Sequence, residues 1–157
     1  MLETTTPPTS FNPALENGVA FRLQHCLVEL IDLGLHAKQA QWNVVGTDVR
    51  SLRARFAEVS DKARAKADGV AGRLATLQVS PHGTLAAVCE SPLEPFPVGW
   101  LPGPKAVAAI LARIDHLSRT NALRIKEIRG IDRVSEAILI DLADELDSAA
   151  WMLRKES

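Results

Sequence analysis

All nine prolines of this chain fall in two segments: Pro7, Pro8 and Pro13 at the start, and six between Pro81 and Pro104. Proline has no backbone N–H to donate and its ring collides with the preceding helical turn, so neither segment can run inside a helix. What remains is two long stretches, 14–80 and 105–157, in which apolar residues recur three or four apart. That period predicts amphipathic helices. In the first stretch Leu23, Leu27, Leu30, Gly34, Ala37 and Gln41 share a face, and Val44, Val45 and Gly46 end the run. Asp48 is placed to cap a second helix over 49–77, with Leu52, Phe56, Val59, Ala63, Ala67, Val70, Leu74 and Leu77 as its stripe.

In the second stretch, Pro104 suits the first turn of a third helix reaching Arg129. Its apolar markers are Val107, Leu111, Ile114, Leu117 and Ile128, and Gly130 suits the position after its end. Asp132 can cap a fourth helix reaching Lys155, with Ile138, Leu142, Leu146, Ala149 and Leu153 inward. No strand signal is present. Tyrosine is absent and aromatics are 4%, poor material for a sheet sandwich. Residues 80–104 then form a connection too long for a local turn, with room for one short helix near Thr84–Cys89. A crossover running the length of a bundle accounts for it. The expectation is an all-α four-helix bundle over residues 14–157, one domain by length, after a flexible polar tail over 1–13.

Other classes are disfavoured. The formal charge is −1, with 18 Lys+Arg against 19 Asp+Glu, so the total offers no general attraction to nucleic acid. Cys26 and Cys89 are too few for a disulfide framework and fit a reduced, cytoplasmic setting. No apolar run is long enough to cross a membrane, and the tail lacks the basic and apolar regions of a secretory signal. No Gly-rich phosphate loop, Cys-x-x-Cys pair or nucleophile elbow is found.

The segment LIDLGLHAKQAQWNVVG, Leu30–Gly46, is similar to the signature of the Dps family. These are small ferritin-like proteins that assemble into hollow dodecamers. The family's run ends Lys-Gln-Ala-His-Trp-Asn; here Lys38–Asn43 reads KQAQWN. The resemblance continues through the second helix, Gly83–Thr84, the proline-rich Ser91–Pro97 and the ELDSAAW of Glu145–Trp151. It implies a ferritin-like four-helix bundle with a long crossover between the second and third helices. It also implies iron sequestration and protection against oxidative stress, through ferrous iron oxidised by peroxide at sites between neighbouring subunits.

The family's five iron ligands map onto Gln41, Arg53, Ala57, Asp68 and Gly72, so a single one is kept, Asp68. Gln41 offers only a carbonyl oxygen, Ala57 and Gly72 offer no side-chain donor, and Arg53 is a permanent cation. Iron is therefore a doubtful ligand. Any residual metal binding falls to Asp68 and Glu58, with Asp61 as a further acid. Arg53, Asp61, Arg64 and Asp68 follow one face, which reads as an ion-pair row or a solvated face.

The remaining candidates are weaker. His25 beside Glu29 could hold a cation or line an interface, and His36 could share its face; His82 and His116 lack partners at helical spacing. Asp141, Asp144 and Glu145 read as a solvent face or intersubunit ion pairs. The resemblance implies acidic channels at the start of the fourth helix, where Asp132 and Glu136 stand but Val134 and Ala137 replace acids. Trp42 is expected to pack under the turn after the first helix, Trp151 on the apolar side of the fourth, and Trp100 at an interface. Residues 1–20 hold no Lys or Arg, which removes the basic arm that grips DNA in many relatives. A surface cluster of Arg50, Arg53, Arg55, Lys62, Arg64 and Lys66 is the other route to DNA. Two functions remain open: an iron-handling cage with a lost or altered ferroxidase centre, and a non-catalytic cage that is structural, coats DNA, binds another ligand or co-assembles with an active relative.

Overall fold

The computed structural model describes residues 13–156, with side chains from residue 18 onward. The expected tail over 1–13 lies outside the described residues except for Pro13, which opens the first helix. The elements are α1 (Pro13–Asn43), β1 (Val44–Val45), α2 (Val49–Thr76), α3 (Leu85–Val88), β2 (Leu101–Pro102), α4 (Gly103–Ile128) and α5 (Arg133–Arg154). Four long helices form an all-α bundle, and the segment from α2 to α4, carrying the short α3, is the long crossover. The main pairings are α1 with α2 and α4 with α5.

Local sequence accounts for each boundary. Asp132 caps α5, its carboxylate accepting from the amides of Val134 and Ser135 at 3.1 and 3.3 Å. Gly130 turns the α4–α5 corner at φ 75°, a conformation that costs glycine little. At the end of α2 the amide of Val79 bonds the Leu74 carbonyl and that of Gln78 bonds Ala75, both at 3.0 Å. This is a Schellman closure, made here with Gln78 at φ 61° where glycine usually sits.

The stripes point inward as their period requires. All eight apolar markers of α2 are buried, and Phe56, Ile110, Ile114, Leu139 and Leu142 are nearly inaccessible at the centre. Burying one such side chain contributes roughly 1.5–3 kcal/mol. Helix α1 packs on α2 at Gly34, whose carbonyl accepts from Ser60 Oγ at 3.0 Å.

Several expectations need correction. β1 and β2 form a two-residue parallel pair, Val44 opposite Leu101, which ties the end of the crossover to the end of α1. Strands this short carry no periodic signal. Asp48 stands before α2 but makes no cap; its carboxylate accepts from Thr47 Oγ1 instead. Trp42 is 61% exposed rather than packed under the turn. Trp151 is 57% exposed, with the Lys155 ammonium over its ring.

Candidate functional site

The outer face of α2 that follows residues 53, 57, 61, 64, 68 and 72 meets α1 where the KQAQWN run ends. Arg53 Nε donates to the Gln41 carbonyl at 3.0 Å, and Lys38 Nζ donates to Gln41 Oε1 at 3.0 Å. Both oxygens of Gln41 are therefore held by cations of the chain. The side-chain amide that replaces a ligand imidazole has its one donor oxygen already occupied.

Arg53, Asp61, Arg64 and Asp68 are exposed and form no ion pair with one another among the described residues. The solvated-face reading stands and the ion-pair row does not. Arg64 and Asp68 border a groove of about 540 Å³ between α1 and α2, floored by Leu30, Gly34 and Ala67. Pro81 and Gly83 of the crossover also line it. Among the described residues that line it, Asp68 is the only acid. Ala57 and Gly72 bring no donor to this face.

Glu58 lies elsewhere. Its oxygens accept from Lys62 at 3.0 Å and Arg55 at 3.3 Å, and these cations, Lys62 foremost, hold its carboxyl below the usual glutamate range. Ten residues separate it from Asp68, about 15 Å along a helix. Lys62 also pairs with Glu145 at 2.8 Å, Arg55 bonds Glu156 at 3.2 Å, and Lys66 pairs with Asp141. Of the six residues in the possible DNA-binding cluster, Arg55, Lys62 and Lys66 are thus neutralised by acids of α2, α5 and the C-terminus. Among the described residues, no three His, Cys, Asp or Glu side chains gather as a metal-binding group. The residues present do not fit the family's iron centre within one chain.

The channel candidates are also engaged. Both oxygens of Asp132 accept from Arg73, at 3.0 and 2.8 Å, and Ser135 Oγ donates at 2.6 Å. Burial works to raise its carboxyl, and the donors from Arg73 and Ser135 outweigh burial and hold it below its ordinary value. Glu136 faces Arg129 at 3.8 Å.

The bundle interior is the other place where ferritin-like helices can carry metal ligands. Here Glu29, 2% exposed, is clamped by Arg124 through two bonds of 2.9 and 2.7 Å. Thr120 Oγ1 adds a longer contact at 3.4 Å. The pairing of His25 with Glu29 as a cation site is thereby overturned. His25 instead bonds the Phe21 carbonyl and packs on its ring. Cys26 is buried beside this pair, and burial pushes its thiol up to about 12.

A second polar cluster, unforeseen in the sequence, joins α1, α4 and the crossover. Arg113 is 7% exposed. Its Nε donates to His36 Nδ1 at 2.9 Å, and its Nη2 donates to the carbonyls of Glu94 and Pro95 at 2.6 and 2.8 Å. Asp32 lies 3.2 Å from His36 Nε2. Glu29, Asp32 and His36 stand three and four apart on one face; the arginines that meet them lie 95 and 77 residues away on α4 and gave no local signal.

The profile of the ferritin-like domain matches residues 22–156. The DNA protection during starvation protein of Mycolicibacterium smegmatis is 31% identical over 137 residues, 87% of this chain and 75% of that protein. The fine tangled pili major subunit of Haemophilus ducreyi is 28% identical over 87% of this chain and 72% of its own length. The tetragonal-form structure of Mycobacterium smegmatis Dps superposes with a TM-score of 0.88 at 29% identity, covering 96% of this chain and 92% of that one.

Proposed function

Because the chain belongs to the Dps family of ferritin-like proteins, we infer that it assembles into a closed dodecameric shell whose ferroxidase centre is lost or altered. Twelve copies of a 17.0 kDa chain make a particle of about 200 kDa. The reading keeps the family's link to iron sequestration and oxidative-stress protection, and iron is its substrate and cargo. A cytoplasmic location goes with this reading; among the described residues no helix is long and apolar enough to cross a membrane.

The observation that carries the loss is the pair of cations on Gln41, Lys38 and Arg53. A divalent ion brought within ~6 Å of one unit positive charge is repelled by about 1–5 kcal/mol, depending on screening. The carboxylates that would offset this are absent at Ala57 and Gly72. Asp68, and Glu58 after release from Lys62 and Arg55, are the acids left to hold iron weakly.

Ferrous iron added without oxygen, followed by peroxide, tests the reading. Ferric absorbance rising no faster than in a protein-free control is expected. Rapid oxidation, or metal located between Asp68 and Gln41 of a neighbouring subunit in an iron-soaked crystal, would overturn it.

The second reading is a non-catalytic structural or binding assembly. The relative named as the fine tangled pili major subunit, a structural role by its name, supports it. Iron content after aerobic loading separates the two, because the first expects ferric iron held inside the shell and the second expects none. Coating of DNA is the weaker branch. With half of the basic cluster neutralised by acids, a gel shift seen at low salt should vanish near physiological salt.

A further inference from the structure

The crossover is fastened to the bundle by Arg113, and one of the four acceptors that hold this guanidinium can be switched off by a proton. An arginine is always protonated, so in the Arg113–His36 contact Arg113 Nε must be the donor and His36 Nδ1 the acceptor. The imidazole is then neutral at Nδ1 and carries its proton on Nε2, facing Asp32 Oδ1. The Phe96 ring completes the cluster: its centroid lies 5.4 Å from that of His36, and the Arg113 guanidinium sits 4.9 Å from the same ring. Arg113 Nη2 reaches the Glu94 and Pro95 carbonyls just before it. The fourth acceptor, the Ala109 carbonyl bonded by Nη1, stays within α4.

We propose that His36 is a proton-operated latch on the crossover: the neutral imidazole holds Arg113 in place, and protonation at Nδ1 releases the Glu94–Phe96 stretch from α1 and α4. Protonation puts an N–H where Arg113 already presents one, at 2.9 Å, and sets two positive charges against each other. Asp32 from α1 favours the imidazolium. Arg113 from α4 opposes it, and the Glu94 carboxylate of the crossover acts on Arg113. No hydrogen bond or ion pair from α2 or α5 reaches the imidazole among the described residues. Burial is the largest influence and lowers the affinity of His36 for a proton. The released state therefore gains on the latched one as pH falls below the ordinary histidine value of about 6.5 and is at a constant disadvantage above it. The released stretch leads directly into Val98 and Trp100, both exposed on the single chain.

Hydrogen–deuterium exchange of the intact assembled protein tests the proposal, with times corrected for the intrinsic pH dependence of exchange. Peptides spanning residues 90–101 should lose protection roughly tenfold between pH 7.5 and pH 5.5, while peptides of α5 stay unchanged. His36→Gln keeps an acceptor for Arg113 but cannot titrate, and its crossover should show no such pH response. Histidine C2 exchange read by mass spectrometry titrates His36 in the unmodified protein, so the test survives a variant that fails to assemble. Its inflection should lie below 6.5. Unchanged crossover protection, a loss spread over α5, an equal loss in His36→Gln, or an inflection at or above 6.5 would each overturn the latch.

Discussion

Arg124 is the residue whose removal should harm the fold most for its size. It holds both oxygens of Glu29 inside the bundle, and without it a carboxylate is left in a dry site. Losing one partner of a buried pair costs about 3–5 kcal/mol, while replacing both by apolar groups of similar size is nearly neutral. Arg124→Ala should therefore lower the melting temperature sharply, and the double change Glu29→Met with Arg124→Met should restore most of it. A calorimetric scan of the three proteins checks the order. Beside this pair, Cys26 is buried and its thiol is pushed up to about 12 by loss of solvation. Thiolate is the reactive form, so a thiol reagent at pH 8 should modify Cys89 and spare Cys26 until the protein is unfolded. Mass spectrometry of the labelled chain reads this directly. Neither residue's environment was legible from its neighbours in sequence. Glu29 and Arg124 are 95 positions apart, and each alone looks like a surface charge on a helix.

Helix ends carry the next scale of information, and here the sequence was a better guide. Proline, glycine and acidic caps act locally, so the start of α4, the corner at Gly130 and the cap at Asp132 were readable before any contact was known. Asp132→Asn keeps a capping oxygen but loses the charge that faces Arg73 and the start of α5, and should destabilise at pH 7 by about 1–2 kcal/mol. The carboxyl is held below its ordinary 3.8 in the folded protein. Its contribution is thus complete above that value and is lost as pH falls through the lower folded value. Melting temperatures of the two proteins should differ at pH 7 and converge in strong acid. The α2 terminus gives the opposite sign. Gln78 adopts φ 61° in a closure that favours glycine, so Gln78→Gly should raise stability by about 1 kcal/mol in a denaturant titration. Asp48 shows where local reading fails: a capping residue in a capping position still chose Thr47 over the helix amides.

For the whole molecule, the exposed tryptophans matter most. Trp42, Trp100 and Trp151 are 61, 75 and 57% exposed on the single chain, a large aromatic outlay for water alone. In a shell such side chains gain by desolvation at subunit contacts. Dissociation into subunits should accordingly shift tryptophan emission to longer wavelength and raise quenching by acrylamide while the helical circular dichroism is retained. Emission spectra matched to sedimentation velocity at each step provide the check. An emission that ignores assembly would place these rings on the shell's free surfaces.

The sequence by itself determined the helices, their inward faces, the long crossover and the loss of the family's iron ligands. These follow from a 3.6-residue period, from proline and glycine stereochemistry and from the donor atoms a side chain does or does not possess, all of which are properties of single residues and their near neighbours. Tertiary structure alone decided where the charges go. It set Lys38 and Arg53 on the two oxygens of Gln41, Arg124 on Glu29, Arg113 on His36, and Lys62 between Glu58 and Glu145. Most of these pairs join separate helices, and long flexible side chains select partners by proximity and desolvation, which no local pattern records.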